Sequence, residues 1–164
     1  MGAKPIRGRI TAAAEQDVVV FLIGIRINRL RSVRRWWPVS TAMPRMLAEL
    51  AADRDSGLLG HRMRLGPPRT VELVQYWESP QKLLAYAADR DGLHRPAWAA
   101  FNRLVRESRG EVGIWHETYV VPAGSYETVY VDMPLHGLAA ATAPVPVAHR
   151  GESAAERLGR RRAS

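Results

Sequence analysis

The stretch VVVFLIGIRIN, residues 18–28, decides the fold. It is a continuous run of β-branched and apolar residues, which is typical of a strand inside a sheet. Its second half alternates, and because neighbours on a strand point to opposite faces, two sets separate: Ile23, Ile25 and Ile27 on one face, and Gly24, Arg26 and Asn28 on the other. The first face is predicted to be core. The second becomes polar towards its end, which favours the wall or rim of a cavity.

A second stretch, GIWHETYVV at residues 113–121, places two ionisable side chains back to back on a predicted strand. His116 shares a face with Ile114 and Thr118, whereas Glu117 points the other way. Burial of an ionisable group costs free energy unless the group meets water, a partner or a ligand. The pattern therefore indicates that at least one of the two is solvated or functional.

The rest of the chain supplies helices and further strands. Helices are predicted at about 40–53, 79–88 and 95–108, and strands at 58–65, 70–78 and 126–132. The first helix would begin at a cap on Ser40 or Thr41. The resulting order, β–α–β–β–α–α–β–β, predicts an α+β fold of ferredoxin-like type, with an antiparallel sheet and helices on one face. The bare sheet face is too apolar for water, so a homodimer is expected.

Composition limits the remaining possibilities. One domain is predicted at 16–138, with a flexible leader at 1–15 and a disordered Ala/Pro-rich, then basic, tail at 139–164. The net charge of +8 is concentrated in that tail and in the segment 26–35, and no motif of a nucleic-acid-binding protein accompanies it, which argues against nucleic acid as a partner. The absence of cysteine excludes thiolate chemistry and Cys-ligated metals. No apolar run is long enough to span a membrane, and a cytoplasmic location is expected.

Motifs of several enzyme classes are missing. The sequence contains no phosphate-binding loop of the GxGxxG or GxxxxGK[ST] type and no GxSxG serine motif. No pair of histidines stands four residues apart with a third ligand, so no metal is predicted. Nucleotide-dependent and serine-hydrolase chemistry are therefore disfavoured.

Several phrases together resemble a known superfamily. These are VVVFLIGIRIN, MPRMLAEL, VQYWES, HRPAWAAFNR, GIWHETYVV and AGSYETVYVDMP. In this order they are similar to the dimeric α+β barrels, and specifically to a monooxygenase-like branch related to the antibiotic-biosynthesis monooxygenases, over roughly residues 17–138. The resemblance implies a dimeric barrel with a ligand pocket between the sheet and its helices. Because the superfamily also contains haem-binding and ligand-sensing members, it implies no single reaction.

Two histidines are the candidate catalytic residues. His116 is interpreted either as a base, hydrogen-bond donor or haem ligand, or as a structural histidine at a sheet edge or dimer interface. His94 either caps the helix that follows it or points into the mouth of the pocket, where the resemblance places polar groups near substrate. If haem is bound, His116 or His94 is its ligand.

The candidate substrate-binding residues lie around these histidines. Arg26 and Asn28 would form a pocket floor that contacts a developing oxyanion, unless the strand simply emerges into solvent there. Trp77 and Gln75 share a face that suits an aromatic or polyketide-like ligand, and Trp98 would add to the apolar walls. Glu117 either contacts ligand or pairs an arginine of 26–35 across the dimer.

These observations favour a small-molecule monooxygenase that needs no cofactor. Such an enzyme deprotonates an electron-rich substrate, which then reduces O₂ directly, and this requires a base, an oxyanion contact and a dry pocket. One alternative is a haem-binding dehydratase or peroxidase on the same fold. The other is a non-catalytic ligand-binding dimer. The sequence identifies neither the substrate nor the role of the basic tail.

Overall fold

The computed structural model describes residues 3–66, 69–88, 106–107 and 110–159. Seven strands lie within these ranges: Ile6–Ala13 (β1), Val18–Ile27 (β2), Leu58–Gly66 (β3), Thr70–Trp77 (β4), Val112–Val121 (β5), Tyr130–Met133 (β6) and Ala143–Pro146 (β7). The helices are Val33–Ala52 (α1), Pro80–Ala88 (α2), Gly137–Ala141 (α3) and Ala154–Arg157 (α4), with a 3₁₀ turn at Val147–His149. Across the described residues, no helix is both long enough and apolar enough to cross a bilayer.

The central sheet has four antiparallel strands in the order β3-β4-β2-β5. β2, the strand predicted from residues 18–28, lies inside it, because its apolar side chains on both faces require cover from both sides. Ile23 pairs with Leu73 on β4 and with His116 on β5. The hairpin predicted at 58–65 and 70–78 is present as β3 and β4.

The two sides of this sheet have separate cores. On the helix-facing side, Val19 and Trp77 pack with Leu50 of α1 and Leu83 of α2. On the opposite side, the core joins six residues: Ala12, Val18, Val74, Tyr76, Leu138 and Ala139. The predicted α+β class, with antiparallel sheet and α1 and α2 on one face, is confirmed.

Helix α1 begins earlier than the sequence predicts. It starts at Val33 rather than near Ser40, and Pro38 and Pro44 lie inside it. The hydroxyl of Ser40 donates to the carbonyl of Trp36, and that of Thr41 to the carbonyl of Trp37, so neither residue is a cap. In contrast, Ser79 caps α2, because its hydroxyl accepts a bond from the backbone N–H of Lys82. The helix predicted at 95–108 lies outside the described residues, except for 106–107.

The chain ends form a second sheet, which differs from the expectation of a flexible leader and a disordered tail. β1 pairs with both β6 and β7 in a three-stranded antiparallel sheet, and it buries Ile10, Thr11 and Ala12. The buried Arg157 of α4 anchors the tail by donating to Glu127 at 2.9 and 2.6 Å. Pairing between these distant segments satisfies their backbone groups, so neither segment needs to stay solvated.

The strand predicted at 126–132 is shorter in the structure and pairs within the second sheet. It begins only at Tyr130, and it pairs with β1 instead of returning along β5. The turn at Pro122–Ser125, closed by a bond from the Ser125 N–H to the Pro122 carbonyl, therefore carries the chain from the first sheet to the second.

Candidate functional site

Strand register places His116 on the helix-facing side of the four-stranded sheet. Two neighbouring rows of side chains cross this side. The first row consists of His61, Gln75, Phe21 and Thr118. The second row consists of Met63, Leu73, Ile23 and His116. His116 is exposed, and its ring lies diagonally from that of Phe21, with 6.0 Å between the ring centroids.

Trp77 and Gln75 lie on the same side and are bonded to each other. The indole Nε1 of Trp77 donates to Oε1 of Gln75 at 2.9 Å, and both side chains are buried. The ring of Tyr86 from α2 lies against the indole, with 5.4 Å between centroids. These groups form a buried aromatic contact that includes one amide. That they bind a ligand remains a prediction.

Glu117 lies on the opposite side of the sheet from His116. The hydroxyl of Tyr119 donates to its Oε2 at 2.6 Å, and both residues are exposed. This bond to the carboxylate raises the pKa of the Tyr119 hydroxyl above its usual value. Of the two ionisable residues in the 113–121 strand, His116 is therefore the one on the side of the helices.

Arg26 and Asn28 do not meet His116. Arg26 is exposed and pairs with Thr70 and Gly113, on the side of the sheet opposite to His116. Asn28 lies beyond the end of β2, where its Nδ2 donates to the carbonyl of Gly110 at 2.8 Å. The sheet separates Arg26 from the helix-facing side, and Asn28 lies beyond the end of the strand, so they do not form the floor of a pocket that contains His116.

Two of the remaining candidates, His94 and Trp98, lie outside the described residues. His61 is on the helix-facing side, but it belongs to the other edge strand, three strand spacings or about 14 Å from β5. It cannot share a metal ion with His116. Among the described residues, no three His, Asp or Glu side chains are grouped as metal ligands.

A polar cluster on the opposite side of the sheet was not predicted from the sequence. Nη1 of Arg62 lies 2.7 Å from Nε2 of His136, and Tyr76 and Tyr130 lie beside this pair. Burial raises the pKa of the Tyr76 hydroxyl; the Arg62 charge lowers it to a lesser extent, and Tyr130 raises it. His136 stands just before the predicted tail at 139–164, and alternation along β3 and β4 is the sequence signal that Arg62 and Tyr76 lie on the side away from the helices.

Comparison with known protein families gives one match over most of the chain. The model of the family described as Monooxygenase af470-like matches residues 18–138. The monooxygenase af470 of Aspergillus fumigatus is 27% identical, over 96% of this chain and 62% of that protein. The chain thus spans about three-fifths of the length of this curated relative.

Two solved structures are similar to this chain to different extents. An aldoxime dehydratase, OxdRE, crystallised with butyraldoxime, superposes with a TM-score of 0.64 at 17% identity, over 94% of this chain and 43% of that one. SnoaB, a cofactor-independent oxygenase from Streptomyces nogalater, has a TM-score of 0.45 at 14% identity, over 63% of this chain and 91% of that one. At such identities a likeness concerns the fold alone.

Proposed function

The chain belongs to the Monooxygenase af470-like family, and from this premise we propose that it is a monooxygenase that oxidises a small aromatic or polyketide-like molecule without a cofactor. The reaction takes place on the helix-facing side of the four-stranded sheet. The observation that supports this assignment is the position of His116 on the same side as Phe21 and the buried Trp77–Gln75 pair. A base, an amide and aromatic rings are then available to one ligand.

The chemistry requires a substrate with an acidic C–H bond next to aromatic rings. His116 accepts that proton, and the resulting carbanion transfers an electron to O₂. Recombination of the two radicals forms a hydroperoxide, and loss of water converts the original CH₂ group into a carbonyl. The substrate carbon loses four electrons and O₂ gains four, with one oxygen atom retained in the product and the other released as water.

Gln75 orients the substrate, and Trp77 orients the amide of Gln75. Because an indole N–H can only donate, its bond to Oε1 fixes which end of the Gln75 amide is the oxygen. The Nε2 group is then the end that donates to a substrate oxygen. The aromatic rings of Trp77, Tyr86 and Phe21 limit access of water to the carbanion, which preserves it for O₂.

Oxygen uptake with an anthrone as the probe tests this proposal. We expect His116→Ala to lower the rate by about 100-fold or more, which is the usual loss when a positioned base is removed. The matched control is His149→Ala, because His149 is an exposed histidine at the 3₁₀ turn. Uptake by His116→Ala equal to that of the wild type would overturn the role of His116. Absence of uptake by the wild type would overturn the substrate class.

Haem is the alternative cofactor, and an absorption spectrum of the purified protein tests it. His116 would hold the haem iron through its imidazole, which is exposed beside the ring of Phe21. A Soret band that disappears in His116→Ala would replace the cofactor-free reaction with haem chemistry. A spectrum without that band, together with oxygen uptake, supports the cofactor-free reaction.

The proposal also includes association of two copies of the chain into a homodimer. Apolar side chains remain exposed on the opposite side of the sheet and on β6: Tyr119, Val131 and Met133. Association of two copies would remove such side chains from water. Light scattering in solution tests the dimer, and a monomer mass would contradict it. The cytoplasmic location expected from the sequence belongs to the same proposal, and cell fractionation tests it.

A further inference from the structure

The opposite side of the four-stranded sheet carries a second polar cluster, which the proposed oxygenase reaction does not use. It consists of Arg62 on β3, Tyr76 on β4, Tyr130 on β6 and His136 before α3, and we name it the Arg62 cluster. A guanidinium can only donate hydrogen bonds, so in the 2.7 Å contact Nη1 of Arg62 donates and Nε2 of His136 accepts. Arg62 thus supplies the positive charge of the cluster.

The two phenol hydroxyls and the guanidinium converge next to Gly137. A Cβ atom added to Gly137 would lie 2.9 Å from the Tyr130 hydroxyl, 3.4 Å from the Tyr76 hydroxyl and 3.8 Å from Nη1 of Arg62. Gly137 has a φ of +56°, which side chains rarely tolerate. A side chain here would clash with the Tyr130 hydroxyl, so glycine at this position allows the three donor groups to lie close together.

The charge of Arg62 is not compensated by the described residues. No carboxylate of the described ranges forms an ion pair with it. Glu117 lies in the same row across the sheet, but three strand spacings or about 14 Å away. In addition, Nε of Arg62 is buried without a hydrogen-bond partner in the described structure. A buried donor without an acceptor is costly, and an oxygen with negative charge would satisfy it.

The exposure and the charge of the residues in the Arg62 cluster indicate which class of ligand it could bind. Tyr76 is only 7% exposed and belongs to the core between the two sheets, whereas His136 is exposed, so access to the cluster is from the His136 side. A single guanidinium balances a single negative charge, and the phenols add neutral donors. We propose that the Arg62 cluster binds the oxyanion of a small monoanionic molecule, a carboxylate or a phenolate, at a site separate from His116.

Calorimetric titration of the full chain with benzoate, and separately with 4-nitrophenolate, tests the proposal. We expect saturable binding of at least one probe. Arg62→Gln should weaken it about tenfold or more, because a charge-assisted bond is lost. Tyr130→Phe, which removes only a hydroxyl, should weaken it several-fold. Binding of benzoate alone identifies a carboxylate site, and binding of 4-nitrophenolate alone identifies a phenolate site.

Two matched variants serve as controls. Arg64→Gln removes an exposed arginine two residues along the same strand and on the same side of the sheet, and it should leave affinity unchanged. His116→Ala should also leave the affinity for the probe unchanged. The binding test therefore decides on this site independently of the oxygenase proposal. The proposal is overturned if neither probe binds, if Tyr130→Phe and a folded Arg62→Gln both retain wild-type affinity, or if Arg64→Gln weakens binding as much as Arg62→Gln.

Discussion

Trp77 donates the hydrogen of its indole Nε1 to Oε1 of Gln75, two residues earlier on the same face of β4, over 2.9 Å. Both side chains are buried, at 0% and 6% exposure, in the core that joins the sheet to α1 and α2. Each residue therefore satisfies the buried polar group of the other. This bond should therefore stabilise the fold whether or not a ligand is bound.

Replacement of Gln75 by leucine should lower the free energy of unfolding by about 1–3 kcal/mol, because the indole N–H would be left buried without an acceptor. Urea unfolding followed by circular dichroism measures the change. Gln81→Leu is the control, since Gln81 is exposed on α2 and its replacement should change stability by less than about 0.5 kcal/mol. Equal stability of the two variants would show that the bond contributes nothing.

The sequence was sufficient to predict which side chains share a face within each strand. Alternation along β2 correctly separated Ile23 and Ile25 from Arg26, and alternation along β5 separated His116 from Glu117. Alternation does not determine which side chains of two neighbouring strands lie on the same side of the sheet, because that depends on the register of the pairing. Arg26 was therefore assigned to a pocket with His116, although the register places the sheet between them.

The second sheet was not predictable because its pairs are distant along the chain and weak in propensity. Ile10 pairs with Tyr130 on one side and with Pro146 on the other. β7 contains two prolines, which strand propensities penalise but which an edge strand tolerates. The contact of Arg62 with His136 likewise joins residues 74 positions apart. Local patterns carry no information on such pairs.

Replacement of Gly24 by alanine should destabilise the fold by about 1–3 kcal/mol, since overpacking in a filled site forces neighbours to move. A Cβ at this position would lie 2.5–2.7 Å from the indole of Trp115 on the neighbouring strand. Thermal unfolding measures the loss. Gly113→Ala, where the nearest atom would lie at 3.6 Å, should retain wild-type stability or exceed it. A stable Gly24→Ala would contradict the close packing of Trp115.

Replacement of Arg157 by glutamine should lower the free energy of unfolding by about 2–4 kcal/mol, because it leaves Glu127 without its charged donor and removes bonds to the carbonyls of Gly151 and Glu152. Urea unfolding measures this loss, and limited proteolysis should show earlier cleavage of the tail. Arg9→Gln is the control: its ion pair with Glu152 is half exposed on both sides and contributes less than about 1 kcal/mol. Similar effects of both variants would contradict the anchoring of the tail by Arg157.

Stability at alkaline pH should depend on Tyr76. Burial raises the pKa of this hydroxyl above its ordinary value of 10.0, so the folded chain holds the proton at pH values where the unfolded chain releases it. The contribution is complete below pH 10 and is lost as the pH rises through the raised pKa of the folded state. The free energy of unfolding of Tyr76→Phe should therefore decline less steeply than that of the wild type as the pH rises above 10.0. A titration of phenol absorbance provides the second readout, since the variant should lack one late-ionising tyrosine. The prediction is contradicted if the stability of the wild type and that of Tyr76→Phe change in parallel with pH, and if their absorbance titrations differ only by one tyrosine of ordinary pKa. Tyr76 would then ionise as it does in water.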